Sequence, residues 1–109
     1  MPFNEQLASR VRPLMQRRQG FSEKKMFGGI GFLLNGNMCC GVYRDQLILR
    51  LGPEAGAAAL DEFDVRPFDI TGRAMTGWVM IGPQGCEDDE DLQQWVGAAA
   101  KFAGGLPPK

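Results

Sequence analysis

Apolar residues recur along this chain at two periods, and the change of period divides it into elements. Phe3, Leu7, Val11, Leu14 and Met15 are spaced by three and four, with the arginines off that line. This is one buried stripe of a helix. Pro13 removes a backbone donor, which predicts a kink or a shifted start, and Gly20 is a natural stop. From Lys25 to Leu51 the period falls to two. Ile30, Phe32 and Leu34 share one parity, Met38, Cys40 and Val42 another face, and Leu47, Leu49 and Leu51 a third, with Ile48 and Arg50 opposite them. Asn35-Gly36 tolerates positive φ at both residues and predicts a tight hairpin; Arg44-Asp45 predicts a second turn. The reading is a three-stranded meander over residues 26–51.

Gly52-Pro53-Glu54 marks a helix start with proline at the first helical position. The short segment EAGAAALDEF that follows is alanine-rich and suited to close packing. VRPFDI and GWVMI read as strands four and five, joined by Thr71-Gly72-Arg73-Ala74. In the last helix Leu92, Trp95, Val96, Ala99, Phe102 and Ala103 fall on one face. The acids of residues 87–91 sit at its amino end, where the helix dipole favours them. Gly104-Gly105 closes it, with Leu106 folding back and Pro107-Pro108 preventing continuation. The order is α-β-β-β-α-β-β-α. Short connections require antiparallel neighbours. The chain is thus expected to form a single α+β domain over residues 1–109, a two-layer sandwich. Helices cover one face of an antiparallel five-stranded sheet; the other face is wet, covered by a partner, or both.

With 109 residues and 44% apolar content, the chain can build one core without staples. A net charge of −1 argues against a whole-domain grip on nucleic acid or anionic membrane. No apolar run approaches a membrane span, and the amino end lacks a basic segment followed by an apolar one, so neither a membrane segment nor a secretory signal is expected. Three cysteines, an odd number, fit a reduced, cytoplasmic setting.

KKMFGGIGFLLNGNMCCGV, LILRLGPE, RPFDITGRAMTGWV and the acidic helix start with Trp95 together resemble the TfoX amino-terminal domain, named after a regulator of bacterial competence. The resemblance runs from about residue 7 to about residue 106. Its specific parts are Met26-Phe27-Gly28-Gly29, Phe68 and Thr71-Gly72-Arg73. It implies an α+β sandwich with an antiparallel sheet, similar to secretion-chaperone architecture, and supplies no catalytic residues. The competence regulator has a second, carboxy-terminal domain. This chain ends at Lys109, so the expectation is a stand-alone domain of the same fold.

Histidine is absent, which removes the commonest general base and metal ligand. Ser9 and Ser22, the only serines, lie in no nucleophile motif. Cys39 and Cys40 are adjacent on a strand and should point to opposite faces, Cys40 packed and Cys39 away from it, sharing neither core nor metal. Cys86 precedes the last helix, whose amino end lowers a thiol pKa while nearby acids oppose that. Structural and redox roles stay open for Cys39 and Cys86; paired ligand spacing for zinc is missing. GGIG lacks the Lys-Ser/Thr of a phosphate loop, and its glycines read as a bend, a bulge or a close approach.

Thr71-Gly72-Arg73 reads first as a turn. The alternative groups Lys25, Arg50 and Arg73 around one anion, with Thr71 and backbone N–H groups at Gly72 joining them. Trp78 and Met80 share a parity, with Met75 and Met38 as neighbours. They pack a core or form an interaction surface. The expected function is a small non-enzymatic binding or regulatory module, without cofactor or metal, acting through a protein partner or as a homodimer. Two alternatives stand beside it. One is nucleic-acid contact, in a competence or transcription role, through Arg10, Arg17, Arg18, Lys24 and Lys25. The other is a small-anion binder or enzyme using Lys25, Arg50 and Arg73.

Overall fold

A computed structural model describes residues 3–26, 28–70 and 72–109. The elements are α1 (Glu5–Gln16), β1 (Phe21–Met26), β2 (Gly29–Leu34), β3 (Asn37–Tyr43), β4 (Gln46–Arg50), α2 (Pro53–Ala59), β5 (Val65–Pro67), β6 (Trp78–Ile81) and α3 (Asp89–Gly104). The strands form one antiparallel sheet in the order β1-β2-β3-β4-β6-β5. The α+β sandwich expected from the sequence is present.

The sheet has one strand more than expected. Residues 21–26 pair along the whole of β2 and form an edge. FSEKKM carries charge where a central strand would carry apolar side chains, and charge on an edge discourages pairing with another chain. Gly20 and Gly28, at φ +82° and +76°, bracket the strand. Gly28 and Gly29 of GGIG therefore lie at the β1–β2 turn, while Gly31 lies within β2 and pairs closely with Gly41; Phe27 lies outside the described residues.

Helices α1 and α3 each begin on a side-chain cap. The Leu7 N–H donates to Asn4 Oδ1 at 3.0 Å, and the Glu90 N–H donates to Asp88 Oδ1 at 2.8 Å. These caps satisfy donors that have no partner within the helix. Helix α1 passes through the exposed Pro13 and runs on to Gln16. Phe3 precedes the helix and forms a bridge with Arg44. Proline leads α2 as the sequence indicated.

One face of the sheet carries the core. Val11 and Met15 from α1 and Leu92, Val96 and Ala99 from α3 pack on Phe32, Val42, Leu47, Leu49, Val79 and Ile81. Each of these side chains other than Ala99 contributes roughly 1.5–3 kcal/mol through burial. Two ion pairs hold α1 in place. Arg12 donates from Nε and Nη2 to the two Glu23 carboxylate oxygens at 2.8 and 3.2 Å, which raises its pKa further. Arg10 donates to Asp89 Oδ1 and to the Glu87 carbonyl, each at 2.9 Å from Nη2. The carboxy-terminal tail returns to the β2–β3 hairpin. There the buried Asn37 amide donates to the Pro107 carbonyl at 2.9 Å, and the Lys109 N–H to the Asn35 carbonyl at 2.8 Å.

A β-bulge changes the faces of β3. Phe32 is opposite Cys40, but Leu33 is opposite Met38, so Cys39 is the extra residue. Met38 therefore turns away from the Cys40 and Val42 face, contrary to simple alternation. Cys39 joins the core beside Cys40, where alternation had placed it on the opposite side.

Candidate functional site

The sheet face turned away from α1 and α3 carries a concave apolar site. In the middle of the sheet this face presents Gly31 and Gly41, which are paired to each other, with Ile48 opposite Gly41 and Met80 opposite Ile48. Two adjacent residues without side chains leave a depression. The bulge supplies Met38 as one wall, and Trp78, opposite Arg50, supplies another. An alanine at Gly41 would drive its Cβ to 2.6 Å from the Ile30 carbonyl oxygen and 3.1 Å from the Met38 methyl carbon.

Residues 68–70 and 72–77 form the roof. The strand expected over VRPFDI stops at Pro67, and Phe68 and Ile70 turn onto this face instead. The loop closes on itself: the Met75 N–H donates to the Phe68 carbonyl at 3.0 Å, and the Gly72 N–H to the Asp69 carbonyl at 2.9 Å. Phe68 meets Trp78 edge-on, ring centroids 5.6 Å apart. The resulting cleft measures about 380 Å³ and is lined by Met38, Tyr43, Ile48, Phe68, Met75 and Trp78, among others. That volume is within the range of small-molecule or side-chain pockets. Of the Thr71-Gly72-Arg73 stretch, Gly72 and Arg73 are thus exposed on the roof. Gly72 has φ +86° and open space around it, so the turn is what requires glycine there.

The proposed cation group is not assembled as a unit. Lys25 lies on edge strand β1 and Arg50 on β4. Three strand spacings of about 4.8 Å separate them, roughly 14 Å. Lys25 is opposite Ile30, which faces the helices, whereas Arg50 is opposite Trp78 on the other face. The Arg50 guanidinium carbon lies 5.5 Å from the Trp78 ring centre and 5.7 Å from that of Phe102. Arg73 is exposed on the roof loop and already engaged. Thr71 lies outside the described residues. Of the interaction-surface pair, Trp78 lines the cleft and Met80 is buried on the same face. Of the basic residues near the amino end, Arg10 is held by Asp89 and Glu87, while Arg17, Arg18, Lys24 and Lys25 are exposed.

The thiols are buried and free. Cys40 is raised well above the ordinary thiol pKa, first by its hydrogen bond with Cys39 and then by burial. Burial also raises Cys86, whose Sγ donates to the Gly82 carbonyl at 3.4 Å. Burial thus outweighs the lowering expected at a helix start. Both groups hold their protons in the folded state at pH values where the unfolded thiols ionise, from about 8.5 upward. The unfolded chain then binds fewer protons, so stability is expected to be complete below that pH and to fall as pH rises above it. Urea midpoints measured from pH 7 to pH 10 test this; a midpoint that stays level or rises above pH 9 contradicts it. Among the described residues, no cluster of Cys, Asp and Glu is arranged to hold a metal, and no helix is long and apolar enough to cross a membrane.

The family model of the TfoX N-terminal domain matches residues 13–103. Neither the curated proteins nor the solved structures include a significant match to the chain.

Proposed function

The chain belongs to the TfoX N-terminal domain family, and on that premise we propose that it is a non-enzymatic binding module that associates with another polypeptide through the apolar cleft. The observation that carries this reading is a cleft of about 380 Å³ walled by methionines and aromatics on a sheet face that α1 and α3 leave uncovered. Unbranched methionines such as Met38 and Met75 repack around side chains of different shape, which suits protein recognition. A face of this kind gains by being covered, since apolar area removed from water contributes about 25 cal/mol per Å². Among the described residues, the lining offers no nucleophile paired with a base, which supports binding over catalysis. Buried free thiols support a reducing, cytoplasmic setting.

Photo-crosslinking tests the proposal. A benzophenone amino acid at Tyr43, which lines the cleft, is expected to capture a polypeptide, either a different protein or a second copy. Met75→Glu in the same chain is expected to abolish capture, because it sets a carboxylate on a cleft wall at a residue 40% exposed, where the fold tolerates it. Capture that persists in Met75→Glu, or labelling of small molecules alone, overturns the reading.

A further inference from the structure

A second cleft lies on the opposite side of the molecule, between the loop after α2 and the first half of α3. It measures about 340 Å³, and its lining includes Glu62, Phe63, Gln84, Asp91, Gln94 and Trp95. Three observations set it apart. Phe63 is 70% exposed, the most exposed large apolar side chain among the described residues, and Leu60 on the same loop is 41% exposed. Trp95 is only partly buried, its inner side packed on the core. The carboxylates of Glu62 and Asp91 form no ion pair among the described residues, and no lysine or arginine lines the cleft.

Phe63 does not stand out because its loop is loose. The backbone N–H groups of residues 60, 61 and 62 donate to the carbonyls of residues 57, 58 and 59. Asp64, at φ +60°, anchors the far side: its carbonyl accepts from the Gly82 N–H and its carboxylate from the Gly85 N–H, each at 2.9 Å. A Cβ at Gly82 would overlap that carboxylate. The loop after α2 is therefore tied to the segment between β6 and α3, and the ring is held in water by its frame.

We propose that this cleft receives a lysine or arginine side chain, flanked by apolar residues, from a partner protein. The aromatic rings of Phe63 and Trp95 can attract a cation through their quadrupoles, and the carboxylates of Glu62 and Asp91 add charge of the complementary sign. Exposed Phe63 and Leu60 extend the apolar surface beyond the area a free ammonium ion would cover, so a segment of chain is the occupant that fits. The site is separate from the sheet-face cleft and does not depend on its role.

The test uses two blocked tripeptides, acetyl-Leu-Arg-Leu-amide and its citrulline counterpart, which has the same shape without the charge. Binding is followed by amide NMR at the Trp95 indole and the Gln84 and Gln94 side chains. The arginine peptide is expected to bind about ten-fold more tightly than the citrulline peptide. Phe63→Ala and the pair Glu62→Gln, Asp91→Asn are each expected to remove that preference. Phe63 is exposed enough for its variant to fold, which the amide dispersion verifies. Equal affinity for the two peptides, no shift at Trp95, or full retention of binding in Phe63→Ala overturns the proposal. So do concentration-dependent shifts at these groups without peptide, since they assign the cleft to a second copy of the chain.

Discussion

Gly77→Ala is expected to destabilise the protein by about 3 kcal/mol, lowering its melting temperature by roughly 10–20 °C. Two costs add. Gly77 has φ +87°, a region that alanine adopts only under strain. A Cβ there would also lie 2.9 Å from the Gly52 carbonyl carbon and 3.2 Å from the Gly52 Cα. Those are backbone atoms at the start of α2 and have no rotamer with which to move aside. The Gly77 carbonyl accepts from the N–H groups of Leu51 and Gly52 at 2.8 and 3.2 Å, so displacing the chain would break the junction of β4, α2 and β6. The same junction positions Trp78, the next residue, in the cleft.

Two companion variants separate the costs. Gly72→Ala carries the backbone strain alone, since nothing lies within 4 Å, and should cost about 1 kcal/mol. Gly56→Ala carries the contact alone. Its Cβ would meet the Gly77 Cα at 2.8 Å, yet Gly56 is helical and intrinsic propensity favours alanine by about 1 kcal/mol. Destabilisation of Gly56→Ala in thermal or urea unfolding shows that the α2–Gly77 contact prevails. Stabilisation shows that the junction can open and removes the main reason for the Gly77 effect.

The helices, the Asn35-Gly36 hairpin and the Pro53 helix start were legible in the sequence because each is set by local chemistry. Helical stripes need only a 3.6-residue period, and Asn35 and Gly36 indeed adopt φ +53° and +83°. What was not legible depends on pairing between distant segments. Strand β1 carries no alternation, because an edge strand is specified as much by charges that repel strangers as by apolar contacts. Cys39 became a bulge through its register against Phe32 and Leu33, and one extra residue reversed the face of Met38. The glycines at 31 and 41 were visible, but that they pair to form a floor follows only from the β2–β3 register. Phe68 and Ile70 read as strand residues; Pro67, the last residue of β5, was the signal that the strand ends. The grouping of Lys25 with Arg50 failed on the same ground, since strand order sets their distance. Phe63 gave no signal at all, because an exposed aromatic and a buried one look alike in one sequence.

Trp78→Ala is expected to weaken binding in the sheet-face cleft by about 30-fold, the loss equivalent to roughly 2 kcal/mol for a buried aromatic anchor. The reporter is a neutral apolar fluorophore, N-phenylnaphthylamine, titrated into folded protein. Trp78 joins the parts of the site: it is opposite Arg50 on β4, meets Phe68 from the roof and forms a cleft wall. Its removal takes away one wall and the edge-on contact that steadies the roof. Trp78→Phe keeps an aromatic ring and should bind within about three-fold of the parent, because ring contact rather than the indole N–H does the holding. Trp95→Phe, which alters a side chain packed on the helix side of the sheet, should bind as the parent does. Tight binding retained in Trp78→Ala would mean that the fluorophore sits elsewhere. The uncovered face would then have no demonstrated affinity for apolar groups, and the association proposed for it would lose its physical basis. The graded outcome, with alanine weak and phenylalanine intact, would instead place the recognition energy on the strand that Gly77 holds in position. The stability effect at Gly77 and the binding effect at Trp78 would then have one origin, the close approach of α2 to the start of β6.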